Sequence, residues 1–205
     1  DATPEYMTAG ADGRLAVFGF NHNGPKGFEE RLETYDLSNG KRLNSGDVAV
    51  RAPLRQLLLS PDASRLLATG PGDGATQVFD ARTLKSLCAY PHDPAQPVIG
   101  AAFTADSRHL WMVTRNIDDT QADNADLMLW DIDTGRIIEK RHAPGIYPVG
   151  IAAIGDKPLL AGRDRLMLDP GAADERTVTG LHSGDATATF AVSRLFSQPF
   201  LAPIS

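Results

Sequence analysis

Three of the five histidines, His92, His142 and His182, recur at one place in a repeating sequence pattern, so imidazoles along one rim are the first chemistry on offer. Imidazole serves both as a metal ligand and as a general base. A metal ion needs its ligands about 2.0–2.1 Å from one atom, and rim positions on neighbouring repeats stand too far apart for that. Structural or solvated histidines, or a polar binding rim, are the readings that remain. The stretch 116–126 carries Asp118, Asp119, Asp123 and Asp126, carboxylates of the kind that bind Ca²⁺. It lacks the glycine and the distal bidentate Glu of an EF-hand loop, so the sequence predicts a solvated hairpin loop. No metal and no cofactor is expected.

Nucleophile elbows, phosphate loops, paired zinc ligands and triads in motif form are absent from the sequence, and no catalytic residue is assigned. Cys88 sits in Ser86-Leu87-Cys88-Ala89-Tyr90, without a neighbouring base, and reads as a small buried hydrophobe. Two stretches read as long loops between strands, 116–126 and 21–30. The second, rich in Gly and Pro, reads as mobile and offers Phe28 as an anchor for a partner. Both join the second and third strands of their repeats, so they project from one face, with Arg115 and Arg163 at adjacent strand ends. The expected partner-binding set is Phe28, Arg115, Asp118, Asp119, Asp123, His142 and Arg163.

Positioning such a face requires a repeat. Ala11-Asp12-Gly13-Arg14, Pro61-Asp62-Ala63-Ser64-Arg65, Ala105-Asp106-Ser107-Arg108 and Gly155-Asp156-Lys157 each sit between two apolar runs, as hairpin turns capped by Asp would. In the same phase, Tyr35-Asp36, Phe79-Asp80, Trp130-Asp131 and Leu168-Asp169 each close a further run. Turns at 38–41, 82–85 and 133–136 lead into another. Each unit therefore predicts four strands, in blades near 4–45, 53–90, 98–141 and 148–181, with two strands of a fifth over 186–205. Continuous runs such as Leu57-Leu58-Leu59 predict strands covered on both sides, as stacked sheets require. The expectation is an all-β chain, one propeller region over 1–205, forming an open or incomplete ring that leaves an edge for remaining blades in the same or another chain.

Composition narrows the partners. The 205 residues carry 20 Lys and Arg against 26 Asp and Glu, a formal net charge of −6, with no basic segment of the kind nucleic acid or an anionic membrane would need. A protein partner is expected, with no nucleic acid and no membrane. No run approaches the roughly 18 apolar residues of a spanning helix, which predicts a soluble chain. One cysteine forms no internal disulfide, and the chain begins at Asp1, so cytoplasm and periplasm both fit.

Leu127-Met128-Leu129-Trp130-Asp131-Ile132-Asp133-Thr134-Gly135-Arg136 resembles the end of a WD40 repeat, and Leu67-Ala68-Thr69-Gly70 with Asp73-Gly74 resembles its middle. The Asp-x-x-Thr-Gly ending is similar to that of the bacterial YVTN-like, TolB-like and quinoprotein propellers. The WD40 resemblance implies a hydrogen-bond network of His, Asp, Ser or Thr, and Trp. His142 and Asp164 stand 22 residues apart, near the separation that network uses, but Leu168 occupies the tryptophan's place; His92 precedes Trp130 across the long loop. The resemblance implies a non-enzymatic scaffold presenting a rim or channel to a protein. The alternatives it leaves are a propeller enzyme of the lactonase or quinoprotein kind, or a sensor domain of a larger signalling protein.

Overall fold

The computed structural model describes residues 4–24, 27–48, 54–70, 76–90, 93, 96–115, 124–162, 166–172 and 176–178. The reading of a partial fifth blade over 186–205 lies outside these residues. Each repeat folds as a four-stranded antiparallel meander. The first sheet runs β1 (Tyr6–Ala9), β2 (Leu15–Gly24), β3 (Gly27–Asp36) and β4 (Lys41–Val48); the second runs β5 (Gln56–Leu59), β6 (Arg65–Thr69), β7 (Thr76–Asp80) and β8 (Ser86–Tyr90). The third is β9 (Val98–Phe103), β10 (His109–Thr114), β11 (Asn124–Asp131) and β12 (Arg136–Pro144). The fourth is β13 (Pro148–Ile154), β14 (Lys157–Gly162), β15 (Leu166–Leu168) and β16 (Arg176–Val178).

The turns explain why the chain reverses where it does. Asp12, Asp62 and Asp106 each accept a hydrogen bond from the backbone N–H two residues on, that of Arg14, Ser64 and Arg108. The next residue in each turn, Gly13, Ala63 and Ser107, has positive φ, which only glycine adopts without cost. Asp36, Asp80 and Asp131 cap the third turn of their sheets in the same way. Opposite the aromatic that precedes each of these, the outer strand carries a β-bulge, which bends the exposed edge and blunts pairing with another chain.

The sheets stack face to face. Leu66 of β6 packs toward the first sheet and Leu67 toward the third, and both are fully buried. Neither side could be buried by one sheet alone. Backbone-like contacts cross each junction. Thr34 Oγ1 donates to Ala81 O (3.0 Å) between the first and second sheets. The Gln56 amide donates to Ala101 O (2.9 Å) and accepts from Ala101 N (3.0 Å) between the second and third. Trp111 Nε1 donates to Asp156 O (2.8 Å) between the third and fourth.

Three expectations are corrected. The stretch 21–30 is not a free loop: β2 and β3 pair continuously to Gly24 and Gly27, because an antiparallel ladder can continue wherever backbone groups align, whatever the side chains. The loop at 116–126 ends early, since Asn124, Ala125 and Asp126 already pair with β12. In the fourth sheet, Met167 pairs with Leu160 and faces the third sheet, as Trp130 pairs with Leu110 and faces the second. Leu168 points the other way, with Leu159 and Leu166. Strand side chains alternate, so the Leu168-Asp169 pair stands one residue out of phase with Trp130-Asp131.

Candidate interaction surface

An antiparallel meander sends its first and third turns to one end and its second turn, with the link to the next sheet, to the other. The end carrying the β2–β3 and β10–β11 connections is therefore the one on which the sequence places its binding residues. Arg115 directly follows β10, and its guanidinium lies 4.4 Å from the ring centroid of Tyr147, in the link between β12 and β13. This stacks a cation on an aromatic face at the junction of the third and fourth sheets. The preceding residue, Thr114, has a buried Oγ1 without a hydrogen-bond partner among the described residues. His142, near the end of β12, faces Asp126 across the strand pair, with Nδ1 2.8 Å from Oδ1; both side chains are exposed. The arrangement offers a cation, a phenol, an imidazole and a carboxylate at a partly exposed rim, which suits recognition of a mixed polar and aromatic surface.

Of the expected set, Arg115 and His142 are placed on this end. Phe28 lies in β3 opposite Asn23, with its side chain outside the described residues. Asp118, Asp119, Asp123 and Arg163 lie outside the described residues, as do His92, His182 and Asp164. His142 takes its partner from its own sheet. Among the described residues no three His, Cys, Asp or Glu side chains come together as metal ligands would. Burial pushes the Cys88 thiol up to about 11, so it is a poor nucleophile near neutral pH. Sequence reasoning did not find Tyr147, which is far from Arg115 along the chain and meets it only through the stacking of sheets.

The opposite end is stitched rather than open. Arg65 pairs with Asp133 (2.6 Å) across the second and third sheets, and Arg108 with Asp131 (3.2 Å) and Asp133 (3.3 Å). Burial opposes ionisation of Asp62, but hydrogen bonds from Ser60, Ser64 and Ser107 outweigh it and hold the carboxyl at about 2. Between the third and fourth sheets, Arg141, midway along β12 rather than at this end, lies over the Trp111 ring (4.8 Å) and pairs with Asp169, which Lys157 also reaches (2.8 Å). Burial raises the Asp169 pKa, and the two cations more than reverse that, leaving it below the ordinary range. These groups fasten the scaffold.

No protein-family model matches the sequence, and no curated protein does. Solved structures do. The acylaminoacyl peptidase of Pyrococcus horikoshii superposes with TM-score 0.62 at 15% identity, over 88% of this chain and 32% of that one. The β-propeller domain of the Trilobed protease from Pyrococcus furiosus, described as having an open velcro topology, gives 0.61 at 16%, over 87% and 57%. The RRP9 WD40 repeats give 0.61 at 12%, over 87% and 51%. The fold is thus an all-β propeller arc of four-stranded sheets, and the chain spans between a third and a little over half the length of these structures. Among the described residues no helix is long and apolar enough to cross a membrane.

Proposed function

We propose that the chain is one propeller region that binds a protein partner through the end bearing Arg115, Tyr147, Asp126 and His142, with the expected residues Phe28, Asp118, Asp119, Asp123 and Arg163 on the same end. The stacked Arg115–Tyr147 pair carries this reading, because Arg and Tyr are the side chains that most often dominate protein interfaces. At the opposite end Arg65, Arg108, Asp131 and Asp133 are engaged with one another within the scaffold. WD40-repeat neighbours are consistent with such a role.

The test is affinity capture of the native protein with quantitative mass spectrometry, comparing Arg115→Glu and His142→Glu with Lys85→Glu at the stitched end. A stoichiometric partner lost by about tenfold or more in the first two and kept in the third is the expected outcome. A partner that responds equally to all three, or turnover of an ester or lactone by the isolated protein, would overturn it.

A further inference from the structure

The outer strands of the first three sheets open with one three-residue order, cation, any residue, aliphatic. Lys41-Arg42-Leu43 begins β4, Lys85-Ser86-Leu87 runs into β8, and Arg136-Ile137-Ile138 begins β12. The third residue of each is the bulge itself. Tyr35 pairs with Arg42 and Thr34 with Asn44, which skips Leu43, and the same shift skips Leu87 and Ile138. A skipped residue has no cross-strand neighbour to cover it, and these three are 40%, 48% and 54% exposed. They are three of the six large apolar side chains exposed among the described residues. Protection of the edge accounts for the bulge and the cation, since both discourage pairing with another strand. It does not account for an aliphatic at the bulge, where solvent alone would favour a polar residue. The fourth sheet's outer strand repeats the order as Arg176-Thr177-Val178, with side chains outside the described residues.

The three motifs form one track. Across the junctions β1 lies against β5 and β9 against β13, while the fourth strands stand further apart, so the fourth strands form the convex wall of the arc. Asn44, beside Leu43, donates from its side chain to Thr83 O, in the turn that leads to Lys85. Cys88, beside Leu87, packs into the cluster holding Ile132 and Ile137, on either side of the turn that leads to Arg136. Cation and aliphatic therefore alternate along the wall from Lys41 to Ile138. Lys41, Lys85 and Arg136 are exposed, and none forms an ion pair with a described side chain, although the whole chain carries −6. The carboxylates nearby are engaged, Asp133 with Arg65 and Arg108, and Glu139 with Arg141. We propose that this wall binds an extended acidic segment of a partner polypeptide, its carboxylates on the three cations and its aliphatic side chains on Leu43, Leu87 and Ile138. A phosphate backbone answers the cations but not the aliphatics, and a flat bilayer meets one outer strand of a convex wall at a time. The wall is separate from the end bearing Arg115 and Tyr147, and neither surface needs the other.

Fluorescence anisotropy of the full chain with a labelled synthetic peptide of repeating Glu and Leu tests this, beside Lys–Leu and Glu–Ser peptides of equal length. Only the Glu–Leu peptide saturates below about 1 mM, and its affinity falls with added salt. Leu87→Ser, Lys85→Glu and Arg136→Glu each weaken it at least about fivefold. All three positions are exposed, so circular dichroism of the variants stays that of the parent. Arg55→Glu makes the same change of charge just before β5, at the other end, and leaves the affinity unchanged. Lys85→Glu keeps a partner held through Arg115 while releasing this peptide, so failure at one surface is told apart from failure at the other. No saturable binding of the Glu–Leu peptide, equal binding of either comparison peptide, or equal effects of Lys85→Glu and Arg55→Glu would each overturn the proposal. So would tighter binding to a DNA oligonucleotide or to phosphatidylglycerol vesicles.

Discussion

Replacing Trp111 with Phe tests whether the stack of sheets is held by specific cross-sheet contacts or by apolar burial alone. Trp111 is buried in β10, donates to Asp156 O at 2.8 Å in the next sheet, and lies under the Arg141 guanidinium at 4.8 Å. Phe fills most of the space but cannot donate. Losing the hydrogen bond costs about 1 kcal/mol, since Asp156 is exposed and its carbonyl can take water instead. The smaller ring leaves a void worth about another 1 kcal/mol, and the weaker cation–π contact adds a few tenths. The expected loss is therefore about 2–3 kcal/mol, read from urea denaturation at fixed protein concentration. Circular dichroism is the right probe, because the substitution removes one of the two tryptophans. Trp130→Phe is the comparison: it sheds the same volume from the second-to-third junction, where its ring meets Tyr90 edge-on at 6.0 Å rather than a carbonyl. A Trp111→Phe loss below about 1 kcal/mol, or one no larger than that of Trp130→Phe, would refute the claim that this bond fastens the fourth sheet.

Two further outcomes follow from the turns. Gly171 has φ of 75°, and a Cβ there would fall 2.9 Å from His142 O, so Gly171→Ala combines backbone strain with a clash and costs about 2–3 kcal/mol. Gly13 has φ of 68° with open space around it, so Gly13→Ala costs only about 1–2 kcal/mol; equal urea midpoints for the two variants would refute the clash. Asp62 titrates at about 2 in the folded chain, below the roughly 3.9 of an unfolded one. Its contribution is complete above about pH 4 and disappears as the pH falls through 2, so Asp62→Asn flattens the acid limb of the stability profile. An Asn variant that loses as much stability as the parent between about pH 4 and 2.5 would sink this reading.

The repeat was legible because its determinants are local. Asp12, Asp62 and Asp106 cap their own turns within two residues, and the aspartates of the aromatic-Asp pairs do the same at the third turn, so spacing alone reveals them. Buried strands were legible because a sheet covered on both sides needs apolar residues at consecutive positions, as in Leu66 and Leu67. What escaped was set by pairing between distant segments. The Gly-rich stretch beyond Phe20 reads as a loop by composition, yet the ladder carries it into a hairpin. The fourth sheet's phase depends on Leu160 meeting Met167, which no spacing within the chain announces. Asp126 and His142 are 16 residues apart and Arg141 and Asp169 are 28, distances over which sequence offers no signal without the register between strands.

The division between the two ends has a consequence for how such a chain can change. Ion pairs join one sheet to the next, Arg65 with Asp133 at the turn end and Arg141, midway along β12, with Asp169 of the fourth sheet. Breaking one at the buried Asp169 leaves its charge with a single cation, so these junctions tolerate little substitution. At the loop end His142 and Asp126 are exposed, and an exposed pair contributes roughly 0–1 kcal/mol, so either can be replaced at small cost to the fold. Recognition placed there can diverge while the stack persists.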